Sequence, residues 1–356
     1  MKVNSMPTST RAAVYERGGD VSVKEVPLPA PQPGELLVRV TACGLCPGEV
    51  TPWYNDRKAP FVLGHEPVAV IEACGEGAAP ADGKPFEPGE RVFIHHHAPC
   101  MTCRRCERGD YVQCETWRKT RLEPGGMSQY AIVPAPSVRV DVLRIPPEVD
   151  DDRATLVEPL ATVVKSLRRA RLREGDRVLV IGLGVMGMLH IALARERGAQ
   201  LVIGADRVAS RVTRAKDFGA HVAFDVQHEP LPRQIAEATG GEGADVVIVG
   251  PGSVSALESA AHCVAPGGTI VIFGPTQSHE RWPLRVHDFY FKDVSVVTSY
   301  SAGPNDTREA LDLLANGLSV GPLVTHRFGL DSVAEAYRMV AAAQDALKVI
   351  VYPNKT

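Results

Sequence analysis

Residues 178–187 read Val-Leu-Val-Ile-Gly-Leu-Gly-Val-Met-Gly, an apolar run that enters a G-x-G-x-x-G pattern. In this pattern Gly182 makes the tight turn, Gly184 lets the backbone approach a pyrophosphate, and Gly187 lets the following helix pack on the strand. The N-terminus of that helix then faces the phosphates. The stretch predicts a strand, a loop and a helix that bind a dinucleotide. The alternative is a glycine-rich turn without a nucleotide.

An acid at the end of the next apolar run supports the nucleotide interpretation. Asp206 stands 19 residues after Gly187, where a carboxylate accepts hydrogen bonds from ribose hydroxyls and repels a 2′-phosphate. It therefore favours NAD over NADP, although Arg207 and Arg211 beside it offer charges that suit the phosphate. The predicted cofactor-binding residues are Gly182, Gly184, Val185, Met186, Gly187, Asp206, Arg207 and Arg211.

Short apolar runs alternate with helical patterns on both sides of this motif, from about residue 157 to 298. Six buried strands with intervening helices are typical of a doubly wound parallel sheet, here a Rossmann domain. The predicted strands are Val178–Ile181, Leu201–Ala205, His221–Phe224, Asp245–Val249, Thr269–Phe273 and Val294–Thr298. The predicted helices are Val185–Arg197, Arg207–Phe218, Leu231–Ala238 and Val254–Val264.

The first 150 residues have a different rhythm of short β-like runs and Pro-Gly turns. Runs such as Leu36–Val40, Val68–Ile71 and Arg91–Ile94 predict an all-β, barrel-like unit with long loops. Two helices and the strand Lys348–Tyr352 are predicted after residue 299, and we expect this tail to return to the first unit. The predicted domains are therefore residues 1–156 with 299–356, and residues 157–298.

The composition excludes several classes of protein. The 356 residues are 44% hydrophobic and 23% charged, with a formal net charge of −3. Such a chain has no basic field to hold nucleic acid or an anionic membrane, and no apolar run is long enough to span a bilayer. Its first seven residues lack the apolar core of a signal peptide. We expect a cytoplasmic protein that acts on a small molecule.

Four cysteines are spaced as metal ligands, at Cys100, Cys103, Cys106 and Cys114. An all-sulfur set within fifteen residues closes a tetrahedron and leaves no position for substrate, which is typical of a structural zinc site. An iron–sulfur cluster or free thiols are the alternatives. The lobe is expected over residues 95–118. The preceding His95-His96-His97 run is predicted to be structural, because alternating side chains in a strand do not converge on one ion.

Three further segments offer one metal ligand type each. They are Cys43-Gly-Leu-Cys46, Gly64-His65-Glu66 and Glu158-Pro-Leu-Ala161. A catalytic zinc needs three protein ligands and one position for water or substrate. One thiolate, one imidazole and one carboxylate leave the ion near neutral charge and still able to lower the pKa of an alcohol.

Taken in order, these motifs resemble the zinc-dependent medium-chain alcohol dehydrogenases over essentially the whole chain. The resemblance implies a GroES-like catalytic domain beside the Rossmann domain, one catalytic and one structural zinc ion, and Cys43 and His65 as catalytic ligands. It also implies that Cys46 does not bind the metal. Glu66 and Glu158 fit the sorbitol, sugar and threonine dehydrogenase branch, with Glu66 as the expected resting ligand and Glu158 near it.

One departure from the family concerns proton transfer. The family has Ser or Thr two residues after the motif's second cysteine, followed by Asp, whereas this chain has Gly48 and Glu49. Glycine cannot relay a proton, so a water molecule or Glu49 is expected to carry it. We therefore count Glu49 with Cys43, His65, Glu66 and Glu158 as candidate catalytic residues.

The predicted function is hydride transfer between a secondary alcohol, such as a polyol, sugar or cyclitol, and NAD. The alternatives are an amino-alcohol dehydrogenase that acts on an L-threonine-like compound, and a nucleotide-binding protein without catalysis. A homo-dimer or homo-tetramer is expected, with the edge strand near Val294–Thr298 extending the sheet across a two-fold axis.

Overall fold

The computed structural model describes residues 6–81, 83–320 and 323–355. The first five residues, which belong to the segment considered for a signal peptide, lie outside these ranges. Within them, no helix has both the length and the apolar character needed to cross a membrane.

Within the described residues, half of the sixteen strands precede residue 150. Their bounds are β1 Ser9–Glu16, β2 Asp20–Pro27, β3 Leu36–Leu45, β4 Phe61–Val62, β5 Glu66–Cys74, β6 Arg91–Ile94, β7 Tyr130–Val133, β8 Val142–Arg144, β9 Arg177–Ile181, β10 Leu201–Asp206, β11 Val222–Asp225, β12 Ala244–Val249, β13 Val264–Ile272, β14 Ser295–Thr298, β15 Val324–Gly329 and β16 Lys348–Tyr352.

The α-helices lengthen after residue 156. Their bounds are α1 Pro52–Asn55, α2 Arg104–Glu107, α3 Glu115–Lys119, α4 Ala135–Val140, α5 Asp151–Ala154, α6 Val157–Ala170, α7 Val185–Glu196, α8 Ala209–Arg214, α9 Leu231–Ala238, α10 Val254–Cys263, α11 Val286–Phe291, α12 Pro304–Ala315 and α13 Val333–Ala342. Short 3-10 turns occupy Pro47–Val50, Tyr111–Gln113, Ala215–Phe218 and Leu330–Ser332.

The chain forms two compact units. One contains the residues up to Ala161, Ala302–Asn316 and the chain from Val324 onward. The other contains Thr162–Ser301 and Gly317–Leu323.

The second unit is a six-stranded parallel sheet in the order β11-β10-β9-β12-β13-β14. Numbered within the unit, this is the 3-2-1-4-5-6 order of a dinucleotide-binding fold. The central strands are buried because their apolar side chains, such as Leu179, Ile203, Val247 and Ile270, form one core. The predicted fold class is confirmed.

The first unit is built on two sheets. β2, β1 and β4 form a small antiparallel sheet, while β15, β16, β3, β5, β6 and β8 form a larger one, with β7 also paired to β3. The core between them contains Tyr15, Leu36, Leu63, Ile71 and Val351. The ten-residue β3 lies at the centre and pairs with β5, β7 and β16.

Element ends differ from the predictions where local hydrogen bonds intervene. The helix expected from Arg207 begins at Ala209, because the Asp206 carboxylate accepts the backbone N–H groups of Arg207 and Val208. Strand β13 begins at Val264 rather than Thr269, since β12 extends its parallel pairing to that point.

Candidate functional site

The dinucleotide motif forms the predicted strand, loop and helix within the second unit. Gly182 has a φ of +91°, which suits glycine, and α7 begins at Val185 with Gly184 as its N-cap residue. A Cβ atom at Gly187 would lie 1.9 Å from the carbonyl oxygen of Gly182, so only glycine fits where the helix meets the loop. The N–H groups at the start of α7 are thus available to an anionic ligand.

Asp206 ends β10 and is held by backbone donors. One carboxylate oxygen accepts the Leu183 N–H at 2.6 Å, and the other accepts those of Arg207 and Val208 at 2.6 and 2.8 Å. The acid is thereby fixed against the glycine loop. The Arg211 guanidinium also reaches that loop, 3.7 Å from where a Cβ would stand at Gly184, whereas the Arg207 side chain is exposed.

The four-cysteine lobe gathers all its sulfur atoms. The Sγ atoms of Cys100, Cys103, Cys106 and Cys114 lie within 4.8 Å of one another, with nearest separations of 3.5, 3.7 and 4.0 Å. Four sulfurs at about 2.3 Å from one zinc ion stand about 3.8 Å apart. The cysteines are free thiols, so this packing suits an ion and not a pair of disulfides.

A second group of candidate metal ligands, called the donor group below, lies where β3 and β5 pair. The Sγ of Cys46, a ring nitrogen of His65 and a carboxylate oxygen of Glu66 lie within 4.8 Å of one another. Cys46 directly follows β3, and Glu66 begins β5 opposite Gly44, so the antiparallel register brings the two segments together. Thiolate, imidazole and carboxylate are ligands that zinc takes in open, catalytic sites.

The structure differs from the sequence prediction in which cysteine joins His65 and Glu66: it is Cys46 and not Cys43. Cys43 is fully buried in the apolar core, and among the described residues it does not belong to the donor group. Burial raises the pKa of the Cys43 thiol well above its usual range, which disfavours a thiolate. The physical reason is position. Cys43 is inside β3, while Cys46 stands beyond the strand end, where its side chain is free to turn toward His65.

Glu49 contacts the segments that carry His65 and Cys46 and helps to hold them in position. Its Oε1 lies 3.2 Å from Nδ1 of His65 and accepts the Gly64 N–H at 2.7 Å, while Oε2 accepts the Cys46 N–H at 3.3 Å. A carboxylate that holds Nδ1 orients Nε2 toward a metal. Burial raises the pKa of Glu49, but His65 and the two backbone donors outweigh burial and lower it. Both oxygens are engaged, so the expectation that Glu49 carries the substrate proton is not supported.

Lys348 is a site residue that sequence reasoning missed. It is completely buried, and its Nζ donates to Oε2 of Glu66. Burial lowers the pKa of Lys348, but the Glu66 carboxylate outweighs burial and raises it. A Cβ at Gly44 would lie 1.9 Å from Glu66 and 2.5 Å from Lys348, so the close approach requires glycine. The signal was present in the sequence, as a lysine at the start of an otherwise apolar strand.

The other oxygen of Glu66 has the property expected of a metal ligand. Oε1 is buried and has no hydrogen-bond partner within the described residues. A buried carboxylate oxygen without a partner is costly unless a cation binds it. The residues present therefore fit a zinc ion. Glu158, in the first turn of α6, is buried but lies outside the three-donor group among the described residues.

The histidine run does not alternate as predicted, because β6 ends at Ile94. Nδ1 of His95 lies 2.7 Å from the buried Asp141, and Nδ1 of His97 lies 2.9 Å from the carbonyl oxygen of Thr120. The His96 ring stands 5.1 Å from that of His65, measured between centroids. Burial, with the neighbouring histidines, lowers the pKa of His96 well below its usual range. The run therefore borders the donor group.

Comparison with known proteins agrees with this organisation. The model of the alcohol dehydrogenase GroES-like domain matches residues 32–147, and that of the zinc-binding dehydrogenase domain matches residues 185–316. The chain is 30% identical to sorbitol dehydrogenase of Mus musculus, covering 94% of this chain and 93% of that protein. It is also 30% identical to L-threonine 3-dehydrogenase of Pyrococcus abyssi, covering 90% and 92%.

A solved structure is similar over the same extent. A zinc-binding dehydrogenase of Sinorhizobium meliloti 1021, bound to NADP, is 28% identical with a TM-score of 0.85, covering 98% of this chain and 100% of that one. The similarity spans both units and both donor groups.

The two cysteines of the β3 end provide a matched pair of variants. Cys46→Ala should remove one of the two zinc ions per chain, because it deletes a donor of the three-residue group. Cys43→Ala should retain both ions and lose only packing, about 1 kcal/mol of unfolding free energy. Inductively coupled plasma mass spectrometry and chemical denaturation measure the two effects. Loss of zinc from Cys43→Ala, with retention in Cys46→Ala, would reverse our assignment.

Proposed function

The chain belongs to the zinc-dependent medium-chain alcohol dehydrogenase family, and we propose that it oxidises a secondary alcohol of a polyol with NAD. Members of the family are oxidoreductases that act on CH–OH groups with zinc and a nicotinamide cofactor, and the predicted zinc and NAD(H) requirement is confirmed at that level. The observation that carries the proposal is the donor group of Cys46, His65 and Glu66, with one Glu66 oxygen left for a cation.

We propose that Cys46, His65 and Glu66 hold the catalytic zinc and that Cys100, Cys103, Cys106 and Cys114 hold the structural one. When bound, the zinc polarises the alcohol oxygen, and NAD accepts the hydride. One thiolate and one carboxylate balance the two charges of the ion. Lys348 fixes the orientation of Glu66, and Glu49 that of His65, so two of the three ligands are held by neighbouring side chains.

Three groups were considered as carriers of the substrate proton: a side-chain hydroxyl at position 48, Glu49 and a water molecule. Gly48 has no side-chain hydroxyl, and both oxygens of Glu49 are engaged. The remaining alternative from the sequence, a water molecule beside Gly48, stays a prediction. Glu158 lies close enough for its charge to act on Glu66 and Lys348, so we keep it as a residue beside the zinc ligands.

The free cysteines agree with a reducing compartment. All eight are unpaired, and four are placed as metal ligands, which is how closely spaced cysteines are used in the cytoplasm. We propose a cytoplasmic location on this ground.

A substrate panel tests the function. Zinc-loaded protein and NAD are mixed with sorbitol and other polyols, sugars, cyclitols, L-threonine and 2-butanol, and NADH formation is followed. The highest kcat/KM is expected with a polyol. Cys46→Ala serves as the control without the catalytic ion and should be inactive. A clear preference for L-threonine would support the amino-alcohol alternative, and no turnover of any alcohol would support a nucleotide-binding role without catalysis.

Cofactor preference is proposed to depend on Asp206 and its charge. Asp206→Asn keeps one oxygen, which can still accept the N–H groups of Arg207 and Val208 but leaves that of Leu183 without its acceptor, and it removes the charge that repels a 2′-phosphate. The ratio of NADH to NADPH affinity should fall about tenfold or more, since hydrogen bonds to a charged group contribute about 1.5–3 kcal/mol. Fluorescence titration with NADH and NADPH measures the affinities. A wild type that already binds NADPH at least as well would show that Arg207 or Arg211 dominates.

The oligomer is proposed from the edge of the parallel sheet. Within the described residues, β14 pairs only with β13, and Val286, Tyr290 and Phe291 of α11, the helix that precedes β14 in the chain, are exposed by 69–77%. An open strand edge and exposed apolar side chains are both features that suit a second copy of the chain. Wild-type protein should sediment as a dimer or larger, and Tyr290→Lys with Phe291→Lys should shift it toward the monomer. A monomeric wild type would overturn this part of the proposal.

A further inference from the structure

The histidine run is a part of the site that the proposed function does not use. Two of its members are anchored by residues outside the donor group. His95 is tied to the buried Asp141, which also accepts the Thr307 hydroxyl. The His97 ring packs on Trp117, with centroids 3.9 Å apart. These contacts on either side fix the backbone that carries His96.

His96 is presented to the metal donors in a fixed position. Its ring lies 5.1 Å from that of His65 and 3.9 Å from that of His97, so it is packed between an expected zinc ligand and an anchored neighbour. The residue as a whole is partly exposed, as is His65. A small molecule that reaches His65 therefore also meets His96.

The His96 ring has unused hydrogen-bonding capacity. Its Nδ1 is buried and has no partner in the part of the chain that the structure describes. A buried polar atom normally finds a partner, because desolvation without one is costly. Nε2 of His95 is in the same condition, and both atoms lie in the run that borders the donor group. Of the two residues, only His96 is partly exposed, so its ring is the one that a bound molecule can reach.

We propose that His96 hydrogen-bonds the substrate hydroxyl next to the one that is oxidised, and so selects polyols over simple secondary alcohols. The inference rests on the proposed function and identifies His96 as the residue that recognises a polyol. A hydroxyl is both donor and acceptor, so it pairs with either tautomer of a neutral imidazole. The role requires no change in the protonation of His96.

The proposed selectivity comes from weaker binding of alcohols that lack a neighbouring hydroxyl. A site that carries a polar group for a substrate hydroxyl disfavours an analogue without that hydroxyl, because the protein group is then left unpaired. 2-Butanol offers only the hydroxyl that reacts, whereas a polyol offers a neighbour. The two substrates thus differ in the feature that His96 is proposed to recognise.

Two substitutions separate recognition from packing. His96→Phe keeps a ring against His65 and His97 but removes both nitrogens, while His96→Asn restores a polar atom near the position of Nδ1. In His96→Phe, kcat/KM for sorbitol should fall about tenfold, as for one lost hydrogen bond, while kcat/KM for 2-butanol stays within about twofold. His96→Asn should recover part of the sorbitol activity. His228→Asn, at an exposed histidine of the other unit, is the matched control and should behave as wild type.

Calorimetry gives a readout that is independent of turnover. Sorbitol is titrated into zinc-loaded protein without NAD, and zinc content is measured on the same samples. His96→Phe should weaken sorbitol binding about tenfold with its zinc content unchanged. Equal losses for sorbitol and 2-butanol, or no loss for either, would overturn the inference while leaving the function intact. A wild type that oxidises no polyol of the panel would instead overturn the proposed function. If His96→Phe does not fold, His96→Ala, which also removes both ring nitrogens, takes its place, and a sorbitol to 2-butanol ratio equal to that of wild type together with unchanged sorbitol affinity would overturn the inference.

Discussion

The antiparallel pairing of Gly44 with Glu66 is the constraint on which the metal donor group depends. It places the end of β3 beside the start of β5, so that Cys46, His65 and Glu66 meet although about twenty residues separate them in the chain. β3 also pairs with β16, and this second pairing delivers Lys348 to Glu66. A side chain at Gly44 would block both approaches. The pairings of β3 with β5 and with β16 therefore determine the ligand set and its support.

This arrangement buries two charged side chains, which costs free energy unless the charges are paired. Glu66 and Lys348 are almost completely inaccessible, and charges removed from water are tolerated only when they are paired and hydrogen-bonded. Removal of either partner from such a pair typically costs about 3–5 kcal/mol, because the remaining charge is left without compensation. The pair occupies one oxygen of Glu66 and leaves the other for a cation. Lys348 is thus part of the site's electrostatics although it is remote in sequence.

The sequence was sufficient to predict the elements and ligands that are marked by apolar runs or by a characteristic residue spacing. Runs of apolar residues located β9, β12 and β16, and the C-x-x-C-x-x-C spacing located the four-sulfur lobe. It was insufficient where a tertiary contact decides which way a side chain faces. Cys43 and Cys46 differ by three residues, and only the end of β3 makes one a core residue and the other a donor. The histidine run was taken for a strand, but β6 stops before it, and no pattern in the sequence marked that end.

The exchange of a hydroxyl and Asp for Gly48 and Glu49 has a coherent physical interpretation. Glutamate is one methylene longer than aspartate, and in this chain it spans from the N–H of Cys46 to Nδ1 of His65 and the N–H of Gly64. Support of His65 is thus kept. The hydroxyl at position 48 is lost. Among the described residues, the buried polar atoms without hydrogen-bond partners include Oε1 of Glu66 and, in the histidine run, Nε2 of His95 and Nδ1 of His96. The capacity for further polar contacts therefore lies in the donor group and in the segment after β6 rather than at position 48.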